Sequence, residues 1–260
     1  MATPEKVGGA RGQWNTKPLR VVVTSMTSTD APSRRVEFFF DPACPFCWQT
    51  SKWFRQVARQ VDITPVWRFI SLAMLNDEMD SLDEAAGHAV GHKFLRVAAA
   101  AKASHGDQVI GALYEEMGNR LWETAPQVDA PVEGDDLGPA KSAHHQQVFT
   151  DLHAILAAVN LPAELIEAAD DTAYDAELQA STDEAMERTG GNVGTPILAF
   201  GEAGGPAFFG PVISSTPSDE DAVKLWDAIT TMTTFDGFAE LKRSLRNPLD
   251  NGLINGLQGK

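Results

Sequence analysis

The sequence predicts an α/β protein whose sheet comes from two separate stretches of chain, with a block of helices inserted between them. Three observations predict it. An apolar run, Val36 to Phe40, leads through a turn into a helical pattern and then a second β-rich run ending at Ile70. From Asn76 to about Gly190 the hydrophobic period becomes helical and strand character disappears. Strand character returns as a hairpin pattern over Val193–Phe209, before a last amphipathic helix.

Val36 to Phe40 is too apolar for a half-exposed strand and suits one buried on both faces. Asp41-Pro42 ends it. Trp53, Val57 and Val61 then recur at helical spacing, with Lys52, Arg55 and Arg59 at polar positions, so a helix begins at the cysteines. Ile63 to Ile70 is the next strand, with Pro65 near its start, where a missing N–H is tolerated. In the inserted block, Val90, Phe94, Val97 and Ala101 form a stripe, and Gly106 is a helix stop. Leu113 and Met117 mark a shorter helix. Residues 123–143 are rich in Pro, Gly and acidic side chains and read as a mobile loop. Helical patterning resumes around Val148, stops at Asn160, restarts after Pro162 and again at Tyr174 and Leu178. The turn GEAGGP joins VGTPILAF to AFFG, and the final helix spans about Ser218 to Thr230, with Asp219, Glu220 and Asp221 at its positive end. Leu241 and Leu245 close the packed structure. The expected division is a flexible extension over 1–34, a sheet domain from 35–75 and 191–246, a helical insertion over 76–190 and a frayed tail over 247–260.

At 260 residues the chain can bury a sizeable core without disulfides. Its net charge of −15 repels phosphate backbones and anionic lipid, which sets nucleic acid and membrane surfaces aside as partners. No apolar run reaches the roughly 18 residues a membrane helix needs. Lys17 to Met26 falls short of an export signal, so a cytoplasmic location is expected.

The two cysteines, Cys44 and Cys47, stand in one Cys-Pro-Phe-Cys cluster. A bridge across two residues removes little unfolded-state entropy, so its purpose is chemical. A cysteine at the first turn of a helix meets unsatisfied N–H groups and the helix dipole, which favour its thiolate. Cys44 is thus the expected nucleophile, and Cys47, one turn inward, the residue that attacks the mixed disulfide. Pro45 occupies an early helical position without losing a hydrogen bond, and Phe46 and Trp48 offer aromatic area near the sulfurs. A closed zinc site needs about four ligands, and no second cysteine pair exists. His88 and His92 lack the Glu of a metalloprotease motif; they, His144, His145 and His153 read as surface histidines, and no metal is expected. His105 continues the inward stripe of its helix and is either a cleft residue or a helix cap. A cis-Pro at Pro196 would turn the backbone of Thr195 toward the sulfurs. Glycines at 190–194 lack the Lys-Ser/Thr of a phosphate loop.

The order strand, CPFC helix, strand, helical insertion, Thr-Pro, hairpin and helix resembles the thioredoxin-like fold of the DsbA family. Within it FFFDPACPFCW, ISLAMLN (Ile70–Asn76), SHG (Ser104–Gly106), EEMGNR (Glu115–Arg120), NVGTPIL and AFFGPVIS followed by KLWD resemble the actinobacterial mycothiol-dependent nitroreductases. The likeness covers about residues 35–245. It implies that Cys44 forms a mixed disulfide with mycothiol or substrate, that Cys47 resolves it, and that Pro196 is cis. It also implies that Pro45, Phe46, Trp53, Asn76, His105 and Thr195 line the thiol or substrate cleft. Mycothiol, or another low-molecular-weight thiol, then serves as co-substrate, regenerated by a separate NADPH-dependent reductase, and no tightly bound flavin or nicotinamide is expected. Substrates would be disulfides or nitroaromatic compounds. Pro-Phe stands between the cysteines where the family leads one to expect Pro-Trp, and the 123–143 loop is longer. Two rival readings are a glutathione-dependent isomerase or kappa-class transferase, against which Cys47 argues, and a non-enzymatic redox-responsive binding module.

Overall fold

In the computed structural model, residues 34–76, 82–201, 204–244 and 247–260 are described. The extension up to residue 33, part of the GEAGGP turn and Leu245 lie outside them. β1 (Arg34–Phe40) is followed by α1 (Pro45–Ala58) and β2 (Ile63–Phe69), and the two strands pair in parallel, with Phe40 opposite Phe69. The strand order is β2-β1-β3-β4. β3 (Ile197–Phe200) runs antiparallel to β1, with Phe39 opposite Ile197, and β4 (Ala207–Phe209) antiparallel to β3. This is a thioredoxin-like sheet, as the order of patterns predicts.

The apolar run of β1 is buried on both faces. Val36, Phe38 and Phe40 join Trp53, Phe54 and Val57 of α1 in the larger core, and Phe39 faces Ile70, Ala185 and Ile197 on the other side. α8 (Asp219–Thr233) packs with α1 over the first face, capped by Ser218, whose Oγ accepts from the Asp221 N–H at 3.2 Å. α7 (Asp175–Thr189) supplies Ala185 to the second face and stops at Gly190, whose φ of 83° suits a left-handed helix stop.

Between β2 and α7 lie α2 (Leu72–Leu75), α3 (Leu82–His105), α4 (Ile110–Gly118), α5 (Leu137–Thr150) and α6 (Leu152–Ala158). α4 runs into a π-helical turn, Asn119–Glu123. The inserted helices share the sheet's own core: Phe94, Leu113, Trp122 and Leu152 belong with Phe38 and Phe40 in one apolar cluster.

Three sequence expectations are corrected here. The segment 123–143 is not a loop throughout, because a short 3₁₀ turn at Gly134–Asp136 leads into α5 at Leu137, well before Val148. Leu137 and Ala140 pack against the core, too sparse a face for periodicity to reveal. Nor is 247–260 a frayed tail. Gly252–Leu257 is helical (α9), capped by Asn251 Oδ1, with Leu253 and Leu257 buried. Its Gly and Asn residues weaken intrinsic helicity, and packing against the π-helical turn overrides them. Leu241, expected to close the packed structure, is exposed.

Candidate active site

Asp41-Pro42 breaks β1 and the chain turns at once into α1, so that Cys44 becomes the helix N-cap with an extended backbone (φ −85°, ψ 114°). Its Sγ does what a capping serine oxygen would do, accepting from the Cys47 N–H at 3.3 Å. Pro45 fills the first helical position, where no N–H is needed. Opposite the helix end, the Thr195–Pro196 peptide bond is cis, and the Thr195 hydroxyl donates to Cys44 Sγ at 3.1 Å. The Thr195 carbonyl lies 3.9 Å from the same sulfur. Both cysteines are free thiols.

The two sulfurs have opposite acidities. Burial pushes the Cys44 thiol up, but hydrogen bonds from the Cys47 thiol, the Thr195 hydroxyl and the Cys47 N–H outweigh it and hold Cys44 below the ordinary thiol range. Asp41 opposes them with its negative charge. Cys47 is held well above that range by burial and by Cys44 beside it. Cys44 keeps 5% of its surface exposed, whereas Cys47 is fully covered.

Asp41 is the residue that the sequence did not single out. It is fully buried, and its two carboxylate oxygens each accept a backbone N–H at 2.8 Å, from Ala43 and from Leu72. One carboxylate thus fixes the loop before Cys44 to the start of α2. Burial raises its pKa to about 7, against the two hydrogen bonds. An Asp before Pro reads as a turn former, and nothing local signals its burial. α3 closes over it only because residue 91 is glycine: a Cβ there would lie 2.6 Å from both Asp41 Oδ1 and the Ala43 Cβ. Similarly, a side chain on Gly118 would collide with the Trp48 ring. Trp122 of the π-helical turn donates its indole N–H to the Pro42 carbonyl at 2.9 Å, and Glu123 accepts the Trp48 N–H at 2.7 Å and Lys52 at 2.5 Å. The insertion therefore grips the cysteine loop and the start of α1 at Asp41, Pro42 and Trp48.

Of the expected cleft residues, Pro45 and Phe46 are half-buried next to Cys44 in the chain, and Thr195, joined by a cis bond to Pro196, bonds its sulfur. Asn76 closes α2, one turn beyond the Leu72 N–H that bonds Asp41, with its own amide donating to the Leu72 carbonyl. Two others are not brought to the site. Trp53 is fully buried, its indole N–H donates to the Ala222 carbonyl at 3.1 Å, and its ring lies against Trp226. It secures α8 to α1. His105 is the last residue of α3, 14 positions beyond Gly91, which at about 1.5 Å rise per residue is about 21 Å up the helix from Asp41. Periodicity identified its face and carried no information about its height. Among the histidines expected on the surface, His92 is half-buried between Ser71 Oγ (2.9 Å) and Asp175 Oδ1 (3.0 Å), and His145 is buried against Trp122. His144 is also buried, its Nε2 3.1 Å from the Arg120 carbonyl. Among the described residues, no group of three or more His, Cys, Asp or Glu is placed to hold a metal ion, and no helix is long and apolar enough to cross a membrane.

Comparison with known proteins adds a family. The family model described as Rv2466c-like, mycothiol-dependent nitroreductase Rv2466c, matches residues 43–243. The uncharacterized protein Rv2286c of Mycobacterium tuberculosis is 29% identical over 227 residues, covering 84% of this chain and 85% of its own length. Similar solved structures include a probable DsbA oxidoreductase, SCO1869, from Streptomyces coelicolor (16% identity, TM-score 0.45, 81% of this chain and 94% of that one). Another is the cytosolic disulfide reductase DsbM from Pseudomonas aeruginosa (15% identity, TM-score 0.46, 76% and 98%).

Proposed function

Because the chain belongs to the Rv2466c-like family of mycothiol-dependent nitroreductases, we propose that it is a cytoplasmic thiol–disulfide oxidoreductase that works through the Cys44–Cys47 dithiol and draws its electrons from mycothiol. The observation that carries this reading is the pair of hydrogen bonds on Cys44 Sγ, from the Cys47 N–H and the Thr195 hydroxyl, beside a wholly covered Cys47. The thiolate of Cys44 attacks one sulfur of a substrate disulfide; a Cys44–substrate bond forms and one substrate thiolate leaves. Cys47 then displaces the second substrate thiol, and the Cys44–Cys47 disulfide remains. Two mycothiol molecules restore the dithiol and become mycothiol disulfide, which a separate NADPH-dependent reductase reduces. A nitroaromatic acceptor fits the same electron count: closing the dithiol releases two electrons and two protons, which convert a nitro group to a nitroso group and water. Pro45, Phe46, Asn76, Thr195 and Pro196 form the walls against which the thiol or acceptor rests.

The test is a Cys47→Ser variant incubated with mycothiol disulfide or glutathione disulfide and read by intact mass. One mycothiol adduct on Cys44, absent from Cys44→Ser and sparse with glutathione, is expected. Equal labelling of the Cys44→Ser protein, or no adduct on either, rejects the proposal.

A further inference from the structure

Trp48, Gln49 and Thr50 follow Cys47 directly, and each is held from elsewhere in the chain. The Trp48 indole N–H donates to Glu123 of the π-helical turn at 2.7 Å, the Gln49 amide to Thr216 Oγ1 at 2.9 Å, and the Thr50 hydroxyl to the Pro211 carbonyl at 2.8 Å. Ahead of the cysteines, Trp122 of the same π-helical turn holds the Pro42 carbonyl. Two clasps therefore bracket the dithiol, the π-helical turn and the residues 211–216 that follow the hairpin.

One short segment ties the two clasps together. Asp250 donates its N–H to the Ser214 carbonyl at 2.7 Å, within the second clasp. Gly252 donates its N–H to Glu123 Oε2 at 3.1 Å, within the first. α9 is seated closely there: a Cβ at Gly252 would lie 2.3 Å from the Glu123 carbonyl oxygen, and one at Gly256 2.2 Å from the Ala125 Cβ. Glycine is a poor helix former, and at these two positions it lets the backbones meet. Leu253 and Leu257 are buried, and the Leu257 carbonyl accepts the Val132 N–H at 2.7 Å. α9 lies beyond residue 243, where the family match ends.

Resting on the proposed chemistry of an acidic Cys44, we propose that the C-terminal segment 250–257 is a strap that positions the dithiol, with Glu123 the positioning residue through which it acts. Gly252 fixes one oxygen of the Glu123 carboxylate, and the other oxygen accepts Trp48 and Lys52. The Trp48 backbone N–H closes the first turn of α1 on the Cys44 carbonyl at 3.1 Å, and that turn aims the Cys47 N–H at Cys44 Sγ. Freed from Glu123, Trp48 lets the turn loosen, and the Cys44 thiolate loses part of one donor. The groups bonded to Glu123 are an indole, an ammonium and a peptide N–H, so its influence on the sulfur passes through Trp48.

The experiment uses the full chain, reduced, alkylated with iodoacetamide across a pH series and followed by intact mass. The pH midpoint of Cys44 is then read separately from its limiting rate at high pH. For Glu123→Leu the midpoint should rise by roughly half a unit, somewhat under the value of one hydrogen bond, with the limiting rate within about twofold of wild type. Gly252→Ala leaves Glu123 in place and lifts α9 off it, and should raise the midpoint by roughly half as much. Glu123→Gln keeps an oxygen for Trp48 and gives up the Gly252 bond, so it should match Gly252→Ala; loss of the negative charge alone would instead lower the midpoint. A urea transition that falls in all three variants while the pH midpoint stays put overturns the inference, because the strap then stabilises the fold and nothing more. A Glu123→Gln midpoint below wild type overturns it too. Should Glu123→Leu fail to fold, Gly252→Ala decides on the same terms. If wild-type Cys44 titrates like an ordinary thiol, it is the proposed dithiol chemistry that has failed; if it is acidic and the variants match it, the failure is confined to the strap.

Discussion

Glu37 and Asp41 lie four residues apart, one within β1 and one just past its end, and both are buried. Their surroundings differ completely. Glu37 sits between Arg68 (2.6 Å) and Arg188 (2.7 Å), so although burial pushes its pKa up, the two guanidinium groups hold it below the usual carboxylate range. Among the described residues, the Asp41 carboxylate meets two backbone N–H groups and no countercharge, and burial raises it to about 7. Peptide dipoles give a carboxylate geometry; full countercharges also give it a settled ionisation state. The strand thus carries a permanently charged, structural acid at its middle and a titrating acid against the dithiol at its end.

The largest effect that would break this contrast is on stability against pH. Asp41 is raised from 3.8 to about 7, so between those values the folded protein holds a proton that the unfolded chain has lost. Stability should therefore fall as pH rises through that window and level off above it, by up to about 4 kcal/mol for a shift of about three units. Urea unfolding of wild type and Asp41→Asn at pH 4 and 8 checks this: the wild type should lose the more stability on going to pH 8. Equal losses in both proteins would remove Asp41 as the titrating group. Next is Glu37→Gln, which leaves Arg188 with Glu184 alone as countercharge; a loss of about 3 kcal/mol is expected, with Cys44 alkylation unchanged. Thr195→Val removes one donor to Cys44 Sγ and should slow its alkylation by iodoacetamide at pH 7 roughly 5- to 10-fold, the value of one hydrogen bond. His105→Ala is the smallest: at about 21 Å from Asp41 it should change alkylation less than about twofold. A tenfold effect there would return His105 to the cleft.

Much of the site was legible beforehand, for local reasons. Cys44 at the N-cap and Pro45 at the first helical position follow from strand, turn and helix signals that sit within a few residues of one another. Thr195-Pro196 could be paired with them because the returning strand pattern of a thioredoxin-like sheet has one place to go. Asp41 was not legible: its role depends on the Leu72 N–H and on Gly91, 31 and 50 positions away in the chain. Trp53 shows the converse error, since an aromatic on the cysteine helix looks the same in sequence whether it lines a cleft or donates to Ala222.

The sequence by itself determined the elements, the buried central strand and the dithiol with its acidic first sulfur, because hydrophobic period, helix capping and the helix dipole all act over one or two turns. Only the tertiary structure decided which buried acid titrates, which aromatic is core, how far His105 lies from the sulfurs, and that the last residues form a packed helix. Those depend on desolvation and on partners contributed by distant segments, and a polar group's environment inside a protein is a property of the assembled whole.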